Sequence, residues 1–214
     1  MDDVLIYLAR AGGLKHAVLV STTELGKALG MTQQNASRRL SVLQEKGAVV
    51  RTPAGIMLTK KGVSELQTNY AILKAAFEGG VEELAGVITK GLGEGRYYLS
   101  LPEYKIGIKE IAGISPFPGT LNLRIRKEDL WKKSALRSQA FSVNPFIRDH
   151  RRYGAVGVLP CKIGVMKAAL IFPERTHHSD DVVEVVASKN LRKALHKKDG
   201  DRVVLRFNGG PVQT

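Results

Sequence analysis

At 214 residues the chain can hold one large domain or two small ones, and its 43% hydrophobic and 25% charged residues exclude a disordered polymer. No apolar run approaches the roughly 20 residues that cross a bilayer, so no membrane partner is expected. The net charge of +13 favours anionic partners such as nucleic acid or nucleotides. Residues 1–80 carry only +4 of it and residues 81–214 carry +9, so a nucleic-acid-binding front segment does not use most of the charge. Met1-Asp2-Asp3 lacks the basic-then-apolar order of a secretory signal, and Cys161 is the only cysteine. A reducing cytoplasm is the expected compartment.

In chain order, Val4–Leu8 opens a short apolar helix that ends near Gly12-Gly13. Thr22 or Thr23 caps a second helix carrying Leu25, Ala28 and Leu29, and Gly30 stops it. Thr32 caps a third helix from about Gln33 to Lys46, whose Ala36, Leu40 and Leu43 recur at helical spacing. Ala48–Thr52 and Ile56–Leu58 read as a hairpin around Pro53-Ala54-Gly55, and Thr59 caps a last helix with Val63, Leu66, Tyr70 and Leu73 on its inner face. This order resembles the winged-helix transcription regulators over about residues 1–77. The resemblance implies that the third helix enters a DNA major groove, bringing Gln33, Gln34, Ser37 and Arg38 to bases or phosphates. The same polar face also suits a module that binds protein or packs on its neighbour.

Gly79-Gly80 reads as a hinge, dividing a domain at 1–80 from one at 81–214. Beyond it, strands are expected at Leu84–Ile88, Tyr97–Leu101, Thr120–Ile125, Ala155–Ile163, Lys167–Phe172, Val182–Ala187 and Arg202–Phe207. Short strands separated by turns suggest a compact barrel. The whole is thus an α+β chain of two domains. A short helix around Asn190–His196 and a tight turn at Lys198–Asp201 precede the last strand.

Three segments carry candidate chemistry. Gly91-Leu92-Gly93-Glu94-Gly95-Arg96 lets backbone N–H groups approach phosphate oxygens, although such a loop is more often a turn, and no Gly-Lys-Ser/Thr follows it. In Pro118–Leu123, strand alternation puts Thr120 and Asn122 on one face, where two neutral oxygens can hold Mg²⁺; two polar residues on an exposed strand are the plainer reading. Thr176-His177-His178-Ser179 is followed by Glu184 and by Lys189-Asn190-Leu191-Arg192, a basic cluster that could position a nucleotide or simply be solvated. Adjacent histidines on a strand diverge, which argues against zinc.

As an ordered set these segments resemble the archaeal riboflavin kinases that use CTP, over about residues 84–208. The resemblance implies a six-stranded cradle-loop barrel and a divalent ion, Mg²⁺, and some members carry an N-terminal winged helix. It implies that Leu92, Gly93, Glu94, Gly95, Arg96 and Tyr97 bind the nucleotide, CTP or CDP. A second nucleotide-binding segment falls on Lys189, Asn190, Leu191 and Arg192. Thr120 and Asn122 match magnesium ligands, while Thr176 and Glu184 match contacts to riboflavin or FMN. His177 stands where the resemblance places a tyrosine, and Asp180 where it places a serine. As a hypothesis, Glu184 accepts the proton of the terminal ribityl hydroxyl. The alternatives are a flavin- or nucleotide-sensing regulator without kinase activity, and a protein that does both.

Overall fold

The computed structural model describes residues 2–91 and 93–207. They form two compact units that divide between Tyr70 and Ala71. Among the described residues no helix is long and apolar enough to cross a membrane.

The first unit opens with helices α1 (Asp3–Arg10), α2 (Thr22–Ala28) and α3 (Gln33–Glu45). Each starts where a side-chain oxygen satisfies a free N–H. Asp2 accepts from Val4, and Thr32 accepts from Asn35. The cap of α2 is Ser21 rather than Thr22 or Thr23, because Ser21 and Glu24 answer each other in a capping box. Val4, Leu5, Leu8, Leu25, Ala36 and Leu40 are buried together as the core. The wing is the two-stranded sheet β1 (Val49–Thr52) and β2 (Gly55–Leu58), extended by an isolated bridge from Val18 to Ile56. Gly55 sits at φ +124° with the Val18 carbonyl where a Cβ would go, so no other residue fits this turn comfortably.

Helix α4 (Lys60–Phe77) follows Thr59, whose hydroxyl accepts from Gly62 N–H. Val63 and Leu66 pack on the first core as expected. In its second half Ala71 and Ala75 are the buried residues, whereas Tyr70 and Leu73, expected inside, are exposed. The two alanines lie on a different face of the helix and belong to the core of the second unit.

That core fills a closed antiparallel barrel. Its strands are β3 (Glu83–Thr89), β4 (Leu121–Arg124), β8 (Val156–Ile163), β9 (Met166–Pro173), β10 (Val182–Ala187) and β11 (Arg202–Arg206). They run in the order β11-β3-β4-β10-β9-β8, and β8 closes on β11 through Leu205–Ile163 and Arg206–Lys162. The ring is the six-stranded barrel that the family resemblance implies, without the strand expected at residues 97–101. A short strand, β5 (Phe141–Val143), adds to the first half of β8, and β6 (Phe146–Arg148) pairs only with β7 (Arg151–Tyr153).

Three parts of this unit depart from the sequence reading. Residues 97–101 are not a strand: α5 (Gly95–Tyr98) takes their place, because Gly93 turns the chain at φ +84° and Tyr97 and Leu99 N–H bond back to Glu94 and Gly95. Helix α6 (Pro102–Ala112) has proline in its first turn and left-handed Gly113 at its end. A turn at Lys127–Asp129 leads into α7 (Leu130–Ser138), whose Ala135 and Leu136 join the barrel core. The last helix, α8 (Leu191–Leu195), is capped by Asn190.

Period-two alternation sorts the barrel strands into two faces. Leu121, Leu123, Leu170, Phe172, Val183 and Val185 point into the barrel core. Ala169, Ile171 and Val186 point outward and join Tyr104 and Ile108 of α6 in a second apolar cluster. We expect Leu170→Ala, which empties a fully buried site at the centre of β9, to cost the second unit about 2–5 kcal/mol in urea unfolding, with Val165→Ala on an exposed hairpin tip close to zero.

Candidate active site

The outward face of β4, β10 and β9 is the floor of the site. In the antiparallel register Asn122 lies opposite Glu184 on one side and Thr89 on the other, and Glu184 lies opposite Ile171. Cross-strand partners share a face, so these side chains project together outside the barrel. The Thr120 hydroxyl lies 3.1 Å from Asn122 Oδ1. Thr120 and Asn122 therefore meet, as the strand alternation predicts.

The glycine loop crosses this floor at van der Waals range. A Cβ on Gly91 would strike the Asn122 side-chain amide nitrogen, and one on Gly95 would lie 3.0 Å from Thr120 Cγ2. Glycine at both places thus lets the loop backbone descend onto the pair. Among the described residues, the N–H groups of Gly93, Glu94 and Gly95 find no hydrogen-bond acceptor. Leu92 lies outside the described residues.

A cleft of about 310 Å³ opens above the floor. Gly93, Glu94, Gly95, Thr120, Thr176 and Glu184 all border it, so it unites candidates drawn from four separate segments. Thr176 stands at its lip beside His177 and His178, and its hydroxyl accepts from His178 N–H. The other sequence candidates lie elsewhere. Asn122 is 2% exposed beneath the loop, Arg96 is solvent-exposed, and the Tyr97 hydroxyl meets that of Tyr153 at 2.7 Å. None of Lys189, Asn190, Leu191 and Arg192 borders the cleft. Asn190 caps α8, Leu191 is buried in the barrel core, and Arg192 binds the Thr89 carbonyl at 2.8 Å and pairs with Asp199. Arg192 thus clamps the end of β3 just before the glycine loop.

Burial pushes the Glu184 carboxyl above its ordinary range. His178, the neighbouring Thr120 hydroxyl and the Lys133 ammonium pull it back, and Glu94 adds to the rise. Lys133 reaches β10 from α7, donating to the Asp180 and Val182 carbonyls at 2.8 Å each, and burial lowers its own affinity for a proton. A half-buried carboxyl raised in this way is a better proton acceptor near neutrality than a free one.

The Thr120 and Asn122 oxygens converge with the amide nitrogen turned to Gly91, and Glu184 stands beside them. This set of hard oxygens fits Mg²⁺, whose octahedral shell would otherwise be water and phosphate. Cys161 takes no part: it is buried in the barrel, and burial pushes its thiol up to about 12.

Several cleft residues escape a reading by pattern. Tyr98, Tyr104, Tyr153, Arg151, Arg152 and Arg175 all border the cleft. Tyr104 donates to the Gly154 carbonyl at 2.7 Å, and burial pushes its phenol up to about 12, so it remains a donor. The signal for the hairpin arginines is the run Arg148-Asp149-His150-Arg151-Arg152-Tyr153, basic on both sides of a turn.

Two family models and several relatives match the chain. The model of the CTP-dependent riboflavin kinase family, described as a domain of unknown function DUF120, matches residues 88–207. A MarR family model matches residues 3–55. The riboflavin kinase of Methanoregula boonei is 39% identical over 203 residues, covering 92% of this chain and 91% of that protein. The riboflavin kinase of Methanospirillum hungatei is 37% identical over 207 residues (92% and 93%), and that of Archaeoglobus fulgidus 34% over 209 residues (95% and 90%). The chain belongs to the CTP-dependent riboflavin kinase family and carries a MarR-family winged helix at its N-terminal side.

Proposed function

We propose that this chain phosphorylates riboflavin, transferring the terminal phosphoryl group of CTP to the terminal ribityl hydroxyl and releasing FMN and CDP. Residues 81–214 are the kinase domain in this reading and residues 1–80 the winged-helix domain. One observation supports it above the rest: Thr120, Asn122 and Glu184 converge on one outer barrel face beneath a glycine loop bordering the same cleft. The choice of CTP rests on the family match.

In this mechanism Gly93, Glu94 and Gly95 offer to the phosphates N–H groups that find no acceptor among the described residues. Thr120 and Asn122 would hold Mg²⁺, which when bound neutralises phosphate charge. Glu184, raised by burial, takes the proton of the ribityl hydroxyl as its oxygen bonds to the terminal phosphorus and the bond to CDP breaks. Thr176 at the lip contacts the flavin, beside His177. Arg192 acts on the nucleotide through the Thr89 carbonyl that it holds.

Incubating the full chain with riboflavin, Mg²⁺ and each nucleoside triphosphate should yield FMN, fastest with CTP. Glu184→Gln should lower turnover about 10²-fold or more with nearly unchanged CTP affinity. Gly91→Ala should lower turnover as well, by displacing Asn122. Absence of FMN with every nucleotide contradicts the proposal, and full turnover by Glu184→Gln contradicts the base.

A second reading, a DNA-binding regulator fused to the kinase, has its own support in the MarR-family match and in α3. Gln34 and Arg38 are exposed there, Gln33 is exposed while bonding to Thr22, and Ser37 is half-buried with its carbonyl near Arg51. A gel shift with promoter fragments of riboflavin-synthesis genes should show sequence-selective, salt-sensitive binding that Arg38→Ala weakens. Binding that ignores sequence would remove this second role.

A further inference from the structure

We propose that Arg151 and Arg152, carried by the β6–β7 hairpin, form a phosphate-binding face of the cleft that the glycine loop also borders. The inference rests on the proposed kinase reading and adds two residues to it.

The hairpin is built to present these side chains. Its two-residue turn, Asp149-His150, has both residues at positive φ, the primed geometry that matches the twist of a tight hairpin. Phe146 stacks on Tyr153 at 4.9 Å between ring centroids and meets Tyr104 of α6 edge-on. The Tyr97–Tyr153 hydroxyl contact ties the hairpin to α5 directly after the glycine loop. Arg151 lies 5.4 Å from the centre of the Tyr153 ring, which orders its guanidinium while leaving its N–H groups free to donate.

Pairing separates the hairpin's arginines. Arg148, away from the cleft, is bound by Glu103 at 3.2 Å and lies near Asp149. Arg151 and Arg152 border the cleft, and among the described residues neither forms an ion pair within 4.0 Å. Three carboxylates, Glu94, Glu174 and Glu184, border the same space, yet none reaches them; Glu174 instead accepts from Ala155 N–H at 3.0 Å. Arg175 is likewise unpaired among the described residues, but sits on the loop after β9 without such anchors. The Arg151 guanidinium, ordered over the Tyr153 ring, and Arg152, which also borders the cleft, offer unpaired N–H donors suited to phosphate oxygens. The phosphate could be that of the nucleotide or the one acquired by the flavin, and riboflavin itself offers none.

The test is calorimetric titration of the full chain and of its Arg151→Gln, Arg152→Gln and doubly substituted forms with riboflavin, FMN and CTP. Riboflavin and FMN differ only by a phosphate, so riboflavin reports whether the cleft stays intact. We expect riboflavin affinity within twofold of wild type, and a loss of about tenfold or more for FMN, CTP or both. Loss for FMN assigns the arginines to the transferred group and loss for CTP to the donor, and lysine at either position should restore part of it. Affinities that stay unchanged, or fall in common for all three ligands, overturn the proposal. A wild-type chain that binds neither flavin nor nucleotide instead contradicts the proposed function.

Discussion

The antiparallel register between β4 and β10 carries the rest of the site. Because Asn122 faces Glu184 across that pair, an amide oxygen and a carboxyl from residues far apart in sequence stand side by side outside the barrel. A slip of one residue between the strands would set Asn122 opposite Val183 or Val185, turn either Asn122 or Glu184 inward, and bury a polar group in the apolar core. The barrel core thus fixes the chemistry through what it excludes. The glycine loop can then settle on the pair, since Gly91 and Gly95 bring no side chain to the contact.

Charge is distributed to the same end. Much of the positive excess lies in residues 81–214, as in Lys133 beneath β10 and Arg151, Arg152 and Arg175 around the cleft. Each contributes differently. Lys133 is half-buried and ties the Asp180 and Val182 carbonyls, and its charge acts first on Asp180 and less on Asp181 and Glu184. The hairpin arginines are exposed and unpaired among the described residues, and are free to meet an anion. Arg192, from a segment expected to touch nucleotide, pins the strand end from which the loop departs.

The sequence made the barrel legible because its strands are long runs of Val, Ile and Leu with clear turns between them. The Thr120–Asn122 pair was legible for the same reason, as alternation along one strand is local information. The roof of the cleft was not. Tyr97–Leu101 has strand-forming residues, but a glycine turn before it winds the chain into α5 instead. Strands β5, β6 and β7 are three residues each, too short for a period to show. Helix α6 did carry signals, with Pro102 at its start, Gly113 after its end, and Tyr104 and Ile108 one turn apart. Pairing of Glu184 with Asn122, and of Arg192 with the Thr89 carbonyl, depends on register and on contacts across the sheet, which no single segment encodes.

The most direct measurement is a crystal structure of the chain with Mg²⁺ and a non-hydrolysable CTP analogue. The account predicts a metal about 2.1 Å from Thr120 Oγ1 and Asn122 Oδ1, with phosphate oxygens on the loop N–H groups and the Glu184 carboxyl facing the open side of the terminal phosphorus. A metal and triphosphate bound away from this strand face would contradict it.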